Sequence, residues 1–258
     1  MSSWFKDSLK RRHIARFSAG VILLVLLTGC SITISGGPPS SGGSSSNSVS
    51  IGTSPPPVWT AQQWVALLSA DESSVVKITT YTSLFGSQIV AGSGFFTNGV
   101  IVTCNHVIAN AHYFIDVWFH GGAGPYHAYV VATDPAQDLA ILKLDNGYDP
   151  GNLPLGSLSN QTDGESVAIV GHPGGGSLYI APGTLTHMNA TLDVTGYGQL
   201  SPMLSIEAPA IGGDSGGPVF DTNGHVIGVL EDGSVGVTGQ GGAVPVSALY
   251  QFLQANGL

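Results

Sequence analysis

The chain has 258 residues, of which 43% are hydrophobic and only 9% are charged; this apolar content excludes a chain that is disordered throughout, and the length allows one large core or two smaller ones. Five of the seven Lys and Arg residues precede position 17, whereas 15 of the 16 acidic residues follow it. An acidic body of this kind is repelled by phosphate backbones, so we expect no nucleic-acid partner.

The N-terminal segment is typical of export. A basic start is followed by an apolar run, Ala19–Leu27, that is too short to span a bilayer comfortably and then by small residues. The sequence "LTGC" at 27–30 resembles the lipobox of bacterial lipoproteins, which implies a signal peptide over residues 1–29 and a lipid on Cys30. The alternative is an ordinary signal peptide or an uncleaved anchor with an incidental cysteine.

Residues 30–58 are mainly Ser, Gly and Pro, which predicts a flexible tether that becomes stiffer at its proline run. The folded domain is then expected over residues 59–258. The chain has two cysteines, so a lipid on Cys30 would leave Cys104 without a disulfide partner. We therefore interpret Cys104 as a small buried hydrophobic residue in a domain stabilised by its core alone.

A short helix is predicted after the tether, with Thr60 as its N-cap and Trp64, Leu67 and Leu68 on its apolar side. From residue 74 the pattern changes to short apolar runs separated by glycines and polar turns, which is typical of strands. We predict strands near Val75–Tyr81, Gln88–Phe96, Val100–Thr103, Tyr113–Phe119, Tyr126–Thr133, Leu139–Leu144, Ser166–Val170, Leu178–Ala181, Gly183–Val194, Met203–Glu207, Pro218–Phe220 and Val226–Leu230.

About a dozen short strands indicate an all-β barrel or sandwich architecture. A looser stretch near residues 146–164 divides the strands into two comparable sets, which suggests one barrel over about residues 72–145 and a second over about residues 165–245. The final segment predicts a helix capped by Ser247.

Three polar residues at predicted strand ends or turns form a candidate constellation. Ser215 lies in "GDSGGP", His106 in "TCNHV" after a strand, and Asp138 at the start of "DLAILKL". A serine hydroxyl needs a base within hydrogen-bond reach, and that base works better when an acid fixes its tautomer. Asp134 is the alternative acid, although the Asp-Pro pair there predicts a turn.

These motifs carry a resemblance to a known family over about residues 72–255. "GDSGGP" is similar to the nucleophile motif of chymotrypsin-like serine proteases, while "TCNHV", "DLAILKL" and "GHPGG" at 171–175 look more like the bacterial high-temperature-requirement (HtrA/Deg) branch. The resemblance implies two six-stranded β-barrels with short terminal helices. It also implies Ser215 as nucleophile, His106 as general base and acid, Asp138 as the orienting acid, and an oxyanion hole from the N–H groups of Gly213 and Ser215.

The same resemblance implies a protein or peptide substrate and no cofactor. Relatives in this branch often carry a PDZ domain, for which the sequence after the second barrel is too short, so we do not expect that module. No metal site is predicted, because the remaining histidines of the body do not share a tight metal-ligand spacing; they are His112, His120, His127, His172, His187 and His225.

We expect the specificity to depend on Pro209, because the resemblance implies that this residue, six before Ser215, lies at the base of the substrate pocket. Proline supplies no charge to pair with Lys or Arg, so we expect cleavage after small or medium aliphatic residues. An acid from Glu231 or Asp232 leaning into the pocket would reverse this preference. Asp214 needs a partner other than the freed N-terminal amine of digestive relatives, or else faces solvent.

Taken together, these features predict a lipid-anchored, extracytoplasmic serine endopeptidase. Two alternatives remain open at this point. One is a catalytically inactive lipoprotein of the same fold that binds peptides or a partner, and the other is a purely structural envelope lipoprotein.

Overall fold

The computed structural model describes residues 57–81, 88–109, 111, 113–194, 197–232 and 239–258, all within one compact unit. The predicted signal peptide, Cys30, the tether before residue 57 and His112 lie outside the described residues. Over the described ranges, no helix is both long and apolar enough to cross a membrane.

The described residues form two closed antiparallel barrels of six strands each, which confirms the predicted fold class. In the first barrel the neighbours run in the order β1-β2-β3-β6-β5-β4, and in the second β10-β11-β12-β9-β8-β7. The strands are β1 Val75–Tyr81, β2 Gln88–Thr97, β3 Val100–Cys104, β4 Ile115–Trp118, β5 Tyr126–Asp134, β6 Leu139–Leu144, β7 Ser166–Gly171, β8 Tyr179–Val194, β9 Gly198–Glu207, β10 Pro218–Phe220, β11 Val226–Asp232 and β12 Gln240–Pro245.

Three helices accompany the barrels: α1 Ala61–Leu68, α2 Asn105–Ile108 and α3 Val246–Ala255. Thr60 is the N-cap of helix α1, as the sequence predicts, and it forms a capping box with Gln63; the helix buries Trp64 and Leu68. Short 3-10 turns fill the connections at Glu72–Ser74, His120–Gly122, Leu158–Asn160 and Pro173–Gly175.

Each barrel is filled by the inward-facing apolar residues of its strands. In the first barrel, Ile78, Phe95 and Leu142 are completely buried. In the second, Leu185 and Ile206 are completely buried. Closing each sheet on itself leaves no free edge strand, and the ends of β3, β6 and β11 meet where the two barrels touch.

The predicted bounds differ from the structure at several elements, including the start of β9, and three of the differences have identifiable reasons. The break expected at Pro182 is absent, because this proline pairs with Ala168 inside a single long strand β8. Strand β12 was not predicted, since its glycines weaken the local signal and its pairing with β9 and β11 forms it instead. Helix α3 begins at Val246 with Pro245 as its N-cap, so Ser247 lies within the helix.

Candidate active site

His106 and Asp138 form a two-point contact at the end of the first barrel. Strand β3 pairs Cys104 with Leu139 of β6, which brings the residues around them side by side. The backbone N–H of His106 donates to Asp138 Oδ1 at 2.8 Å, and His106 Nδ1 lies 2.6 Å from Asp138 Oδ2. Asp138 is completely buried and has φ of +53°, a left-handed conformation that aspartate tolerates better than most residues.

This contact fixes the orientation of the imidazole. A buried carboxylate accepts hydrogen bonds, so Nδ1 carries a proton and Nε2 is left to act as the base. The His106 side chain is 32% exposed, whereas Asp138 has no exposed surface. The acid is therefore shielded from water while the opposite side of the ring remains accessible.

Ser215 lies on a glycine turn that is clamped between the barrels. The Ser215 carbonyl accepts from the N–H of Ser93 on β2 at 2.8 Å, and the N–H of Gly216 donates to Leu230 on β11 at 2.7 Å. Gly216 has φ of +86°, and a Cβ there would lie 2.2 Å from the carbonyl oxygen of Ser93 and 3.1 Å from the backbone nitrogen of Cys104. The turn therefore packs directly against the strand that leads to His106.

Among the hydrogen bonds of the described residues, none joins the Ser215 hydroxyl to His106. Such bonds commonly tighten only when substrate is bound. The structure thus brings the three predicted residues to one place, with the His–Asp contact formed and the Ser–His contact still open.

The carbonyl groups on either side of Gly213 are held by the first barrel and by the loop that contains "GHPGG". The Gly212 carbonyl accepts from the N–H of Gly174 at 2.7 Å. The Gly213 carbonyl accepts from the buried hydroxyl of Ser93 at 2.8 Å, and that hydroxyl in turn accepts from the N–H of His172 at 2.9 Å. Because a trans peptide directs its C=O and N–H in opposite directions, the N–H of Gly213 points away from Gly174.

Neither this N–H nor that of Ser215 donates to another described residue. The two groups are therefore available to an oxygen atom placed beside the turn. Gly213 has φ of +103°, a backbone conformation that a residue with a Cβ rarely adopts, and this explains the glycine.

Asp214 does not face solvent, so that alternative is wrong. Its side chain is buried, and Oδ2 accepts the N–H of Ile211 at 3.1 Å within the same turn. Burial raises the pKa of Asp214 to about 6, although the hydrogen bond from Ile211 acts in the opposite direction.

Two residues outside the predicted triad contact it, and of these the sequence suggests only Glu231, as an acid that could enter the substrate pocket. Tyr197, which precedes β9, accepts a hydrogen bond from the Asn105 amide at 3.3 Å, and its ring centre lies 6.3 Å from that of His106. Glu231, on β11, is buried with Oε1 3.9 Å from His106 Nδ1. Neither residue belongs to a recognisable motif. The only sequence feature that points to Glu231 is its acidic side chain directly after the apolar run of β11.

Cys104 is completely buried, as predicted, and its thiol donates to the Leu230 carbonyl at 3.2 Å. Burial raises the pKa of Cys104 well above its usual value, and the charges of Asp138 and Glu231 add to this effect. Cys104, His106 and Asp138 offer ligand atoms within 4.8 Å of one another, but a protonated thiol and an existing His–Asp hydrogen bond suit acid–base chemistry better than metal binding.

The other candidates lie elsewhere. Asp134 forms the predicted turn by accepting the N–H groups of Ala136 and Gln137. Pro209 is exposed and lines a groove of about 430 Å³ that includes neither His106 nor Ser215, so its role in a substrate pocket stays a prediction. Four described histidines pair with carboxylates away from the site: His120 with Glu72, His127 with Asp116, His187 with Asp163 and His225 with Asp221.

Comparison with known proteins places the chain in a family. Residues 92–229 match the model of the trypsin-like peptidase domain. The serine protease Rv3671c of Mycobacterium tuberculosis is 32% identical over 169 residues, which cover 64% of this chain and 41% of the relative. A protein named as a probable periplasmic serine endoprotease, DegP-like, of Bartonella henselae is 33% identical over 171 residues, covering 64% and 33% respectively.

Solved structures agree with this similarity. The active form of the Rv3671c protease from M. tuberculosis superimposes with a TM-score of 0.65 at 26% identity, covering 78% of this chain and 90% of that one. The HtrA-type protease AlgW with a tripeptide gives a TM-score of 0.63 at 26% identity, covering 74% and 62%. The two sequence matches described above each cover less than half of the full-length relative. The chain belongs to the trypsin-like peptidase family, and its relatives include HtrA-type and DegP-like serine proteases.

Proposed function

We propose that the chain is a serine endopeptidase with His106, Asp138 and Ser215 as its catalytic triad. The observation that carries the proposal is the two-point contact in which buried Asp138 accepts both the backbone N–H and the Nδ1 side of His106. This arrangement leaves Nε2 as a base on the accessible side of the ring, next to the turn that holds Ser215.

In the proposed reaction, the Ser215 hydroxyl oxygen attacks the carbonyl carbon of a peptide bond while His106 Nε2 takes its proton. Asp138 stabilises the imidazolium that forms and keeps the ring in place. His106 then gives the proton to the amine that leaves, and an acyl-enzyme remains on Ser215. A water molecule, activated by His106 in the same way, hydrolyses the acyl-enzyme, and no cofactor takes part.

The N–H groups of Gly213 and Ser215 are proposed to bind the negative oxygen of the tetrahedral intermediate. The hydrogen bonds to Gly174 and Ser93 support this role, since they hold the carbonyls on both sides of Gly213 away from the site. Fixed donors of this kind lower the barrier because they need no reorganisation during the reaction.

For specificity, we propose cleavage after small or medium aliphatic residues, based on the uncharged Pro209. The buried alanines at 208 and 210 flank it, and Glu231 lies beside His106, which removes one of the two acids that could favour Lys or Arg. Mass spectrometry of the fragments of an unfolded protein substrate tests this; cuts mainly after Lys or Arg would contradict it.

For location, we propose that the protease domain is held outside the cytoplasm by a lipid on Cys30. The lipobox-like "LTGC" supports this, and the periplasmic name of the Bartonella relative agrees with an extracytoplasmic site. Mass spectrometry of the mature N-terminus tests the proposal, since an unmodified terminus at another residue would refute it. Two or more acyl chains are expected, because a single chain binds membranes only marginally.

Labelling of Ser215 by a fluorophosphonate is the direct test of the catalytic proposal. The wild type should form a covalent adduct on Ser215, whereas Ser215→Ala should not react. A folded wild type that neither labels nor cleaves an unfolded protein would favour the alternative of an inactive binding protein of the same fold.

A further inference from the structure

Strand β11 carries an irregularity next to the candidate active site. Leu230 pairs with Ala243 of β12 and Asp232 pairs with Gly242, so two steps along β11 correspond to one step along β12. Glu231 is therefore the extra residue of a β-bulge. Bulges re-aim side chains and are common beside active sites.

The backbone on one side of Glu231 is anchored to both halves of the site. The Leu230 carbonyl accepts from the N–H of Gly216 at 2.7 Å and from the Cys104 thiol at 3.2 Å, and the Leu230 N–H donates to Gly217 at 2.8 Å. The position of Glu231 is thus tied to the nucleophile turn and to the strand that precedes His106. Its carboxylate is 2% exposed and lies 3.9 Å from His106 Nδ1.

The same ring nitrogen therefore faces two buried acids. Asp138 Oδ2 is the nearer, at 2.6 Å, and Glu231 Oε1 is 1.3 Å farther away. The other titratable groups that face this cluster from the described elements are the Cys104 thiol on β3 and the Tyr197 hydroxyl before β9, both kept neutral by pKa values that burial raises. Among those described groups, the two carboxylates are the ones that can carry negative charge at this point.

We propose that Glu231 is a positioning residue for catalysis, a second acid that acts with Asp138 on His106 Nδ1. The inference rests on the proposed function. The negative charge of Glu231 stabilises the imidazolium of His106, so it moves the pH range of activity upwards. A carboxylate oxygen of Glu231 can also accept the hydrogen bond from Nδ1–H when Asp138 cannot.

The distances support both parts of this role. Opposite charges about 4 Å apart attract each other strongly enough to move the titration of either group by about one pH unit or more, even at the effective dielectric typical of proteins. Glu231 Oε1 lies 3.9 Å from Nδ1, just beyond hydrogen-bond distance. Replacing the triad acid by its amide normally leaves the wrong histidine tautomer, which an additional acceptor for Nδ1–H would correct.

The first test measures the titration of His106 by NMR, with His106→Ala used to assign the signal. In Glu231→Gln the midpoint should fall by about one pH unit relative to the wild type. The acidic limb of kcat/KM should move in the same direction by a similar amount. Glu165→Gln makes the same chemical change on a half-exposed carboxylate directly before β7, and its midpoint should match the wild type.

The second test is a double-mutant comparison. Asp138→Asn should retain at least about tenfold more kcat than Asp138→Asn combined with Glu231→Gln, because only the single variant keeps an acceptor for Nδ1–H. Equal activity of the two would show that Glu231 cannot replace Asp138.

Coinciding titration midpoints for wild type and Glu231→Gln would overturn the proposal. If Glu231→Gln does not fold, Glu231→Asp is the deciding variant. Its shorter side chain holds the carboxylate farther from His106, so the His106 titration midpoint should fall, and an unchanged midpoint overturns the inference. A wild type that fails to hydrolyse or label would refute the proposed function, whereas the NMR titration would still test Glu231 by itself.

Discussion

The two halves of the proposed catalytic centre are built by different means. On the first barrel, His106 is held by the charged side chain of Asp138, with Glu231 behind it. On the second barrel, the turn around Ser215 is held almost entirely by backbone hydrogen bonds and by glycines with positive φ. The first half orients the imidazole and its proton, and the second half fixes the backbone conformation of the serine turn and two N–H donors.

This difference predicts how each half responds to change. The His–Asp half should be sensitive to the charge and hydrogen-bonding capacity of side chains, because its partners are carboxylates. The serine half should be sensitive to the presence of a Cβ, because its glycines lie against other backbone atoms. The predictions below test this contrast, from the largest expected effect to the smallest.

Loss of either reacting group should reduce hydrolysis to the same level. Ser215→Ala and His106→Ala should each lower kcat by roughly 10⁴ to 10⁶, and the double variant should fall no further, because the groups act as one unit. Hydrolysis of a peptide substrate measures this, and thermal unfolding checks that the barrels are intact. Additive losses would show that the two halves work independently.

A methyl group at Gly216 should damage the serine half severely. Its Cβ would lie 2.2 Å from the Ser93 carbonyl and 2.3 Å from Thr103 Oγ1, so Gly216→Ala should lose several kcal/mol of stability together with its activity. Urea unfolding measures the loss.

Gly224→Ala is the matched control for this change. Gly224 has a similar φ of +78°, but the nearest atom to its Cβ would be 3.6 Å away. It should lose only about 1–2 kcal/mol, the cost of the left-handed conformation alone. Equal losses in the two variants would mean that packing against Ser93 does not matter.

Asp214 is the charged exception in the serine half, and its effect should depend on pH. Burial raises its pKa from 3.8 to about 6, so the folded state binds the proton more tightly than the unfolded state. Its contribution is therefore fully present below about pH 4 and is lost as the pH rises through 6, amounting to about 3 kcal/mol at most.

Asp214→Asn should remove this slope from urea unfolding measured between pH 4 and pH 8. Asp163→Asn, which changes an exposed carboxylate, should retain it. A wild type whose stability does not fall over this range would show that Asp214 stays ionised when buried.

The smallest effect is expected at Lys77, which anchors the loop behind the serine turn. Its ammonium donates to the Gly175 carbonyl at 3.3 Å and lies 5.5 Å from the centre of the Trp118 ring. Lys77→Met should lose about 1 kcal/mol and lower kcat a few-fold, since the same loop holds Gly212. Lys143→Met removes an exposed lysine and should change neither stability nor kcat. If both variants lost the same stability and kcat, the effect of Lys77→Met would come from net charge rather than from its contacts.

The sequence predicts much of this molecule, and the exceptions have physical causes. Local motifs pointed to His106, Asp138 and Ser215, because the proposed chemistry needs each residue type at a strand end or turn. Short apolar runs separated by glycines and polar turns predicted eleven of the twelve described strands. Strand β12 depends on its neighbours rather than on its own residues. Glu231 could not be assigned because a one-residue bulge decides which side of β11 it faces.

The hydrogen bonds from the first barrel to the serine turn have a consequence for the chain before it has folded. Ser93 and Thr103 of the first barrel hold the turn that the second barrel supplies: Ser93 bonds to Ser215 and Gly213, and Thr103 bonds to Ser93. Under the proposed function, neither barrel contains a working enzyme by itself. A chain still emerging from the ribosome, or one crossing a membrane unfolded, is therefore harmless to its surroundings, and proteolysis begins only when the second barrel has docked onto the first.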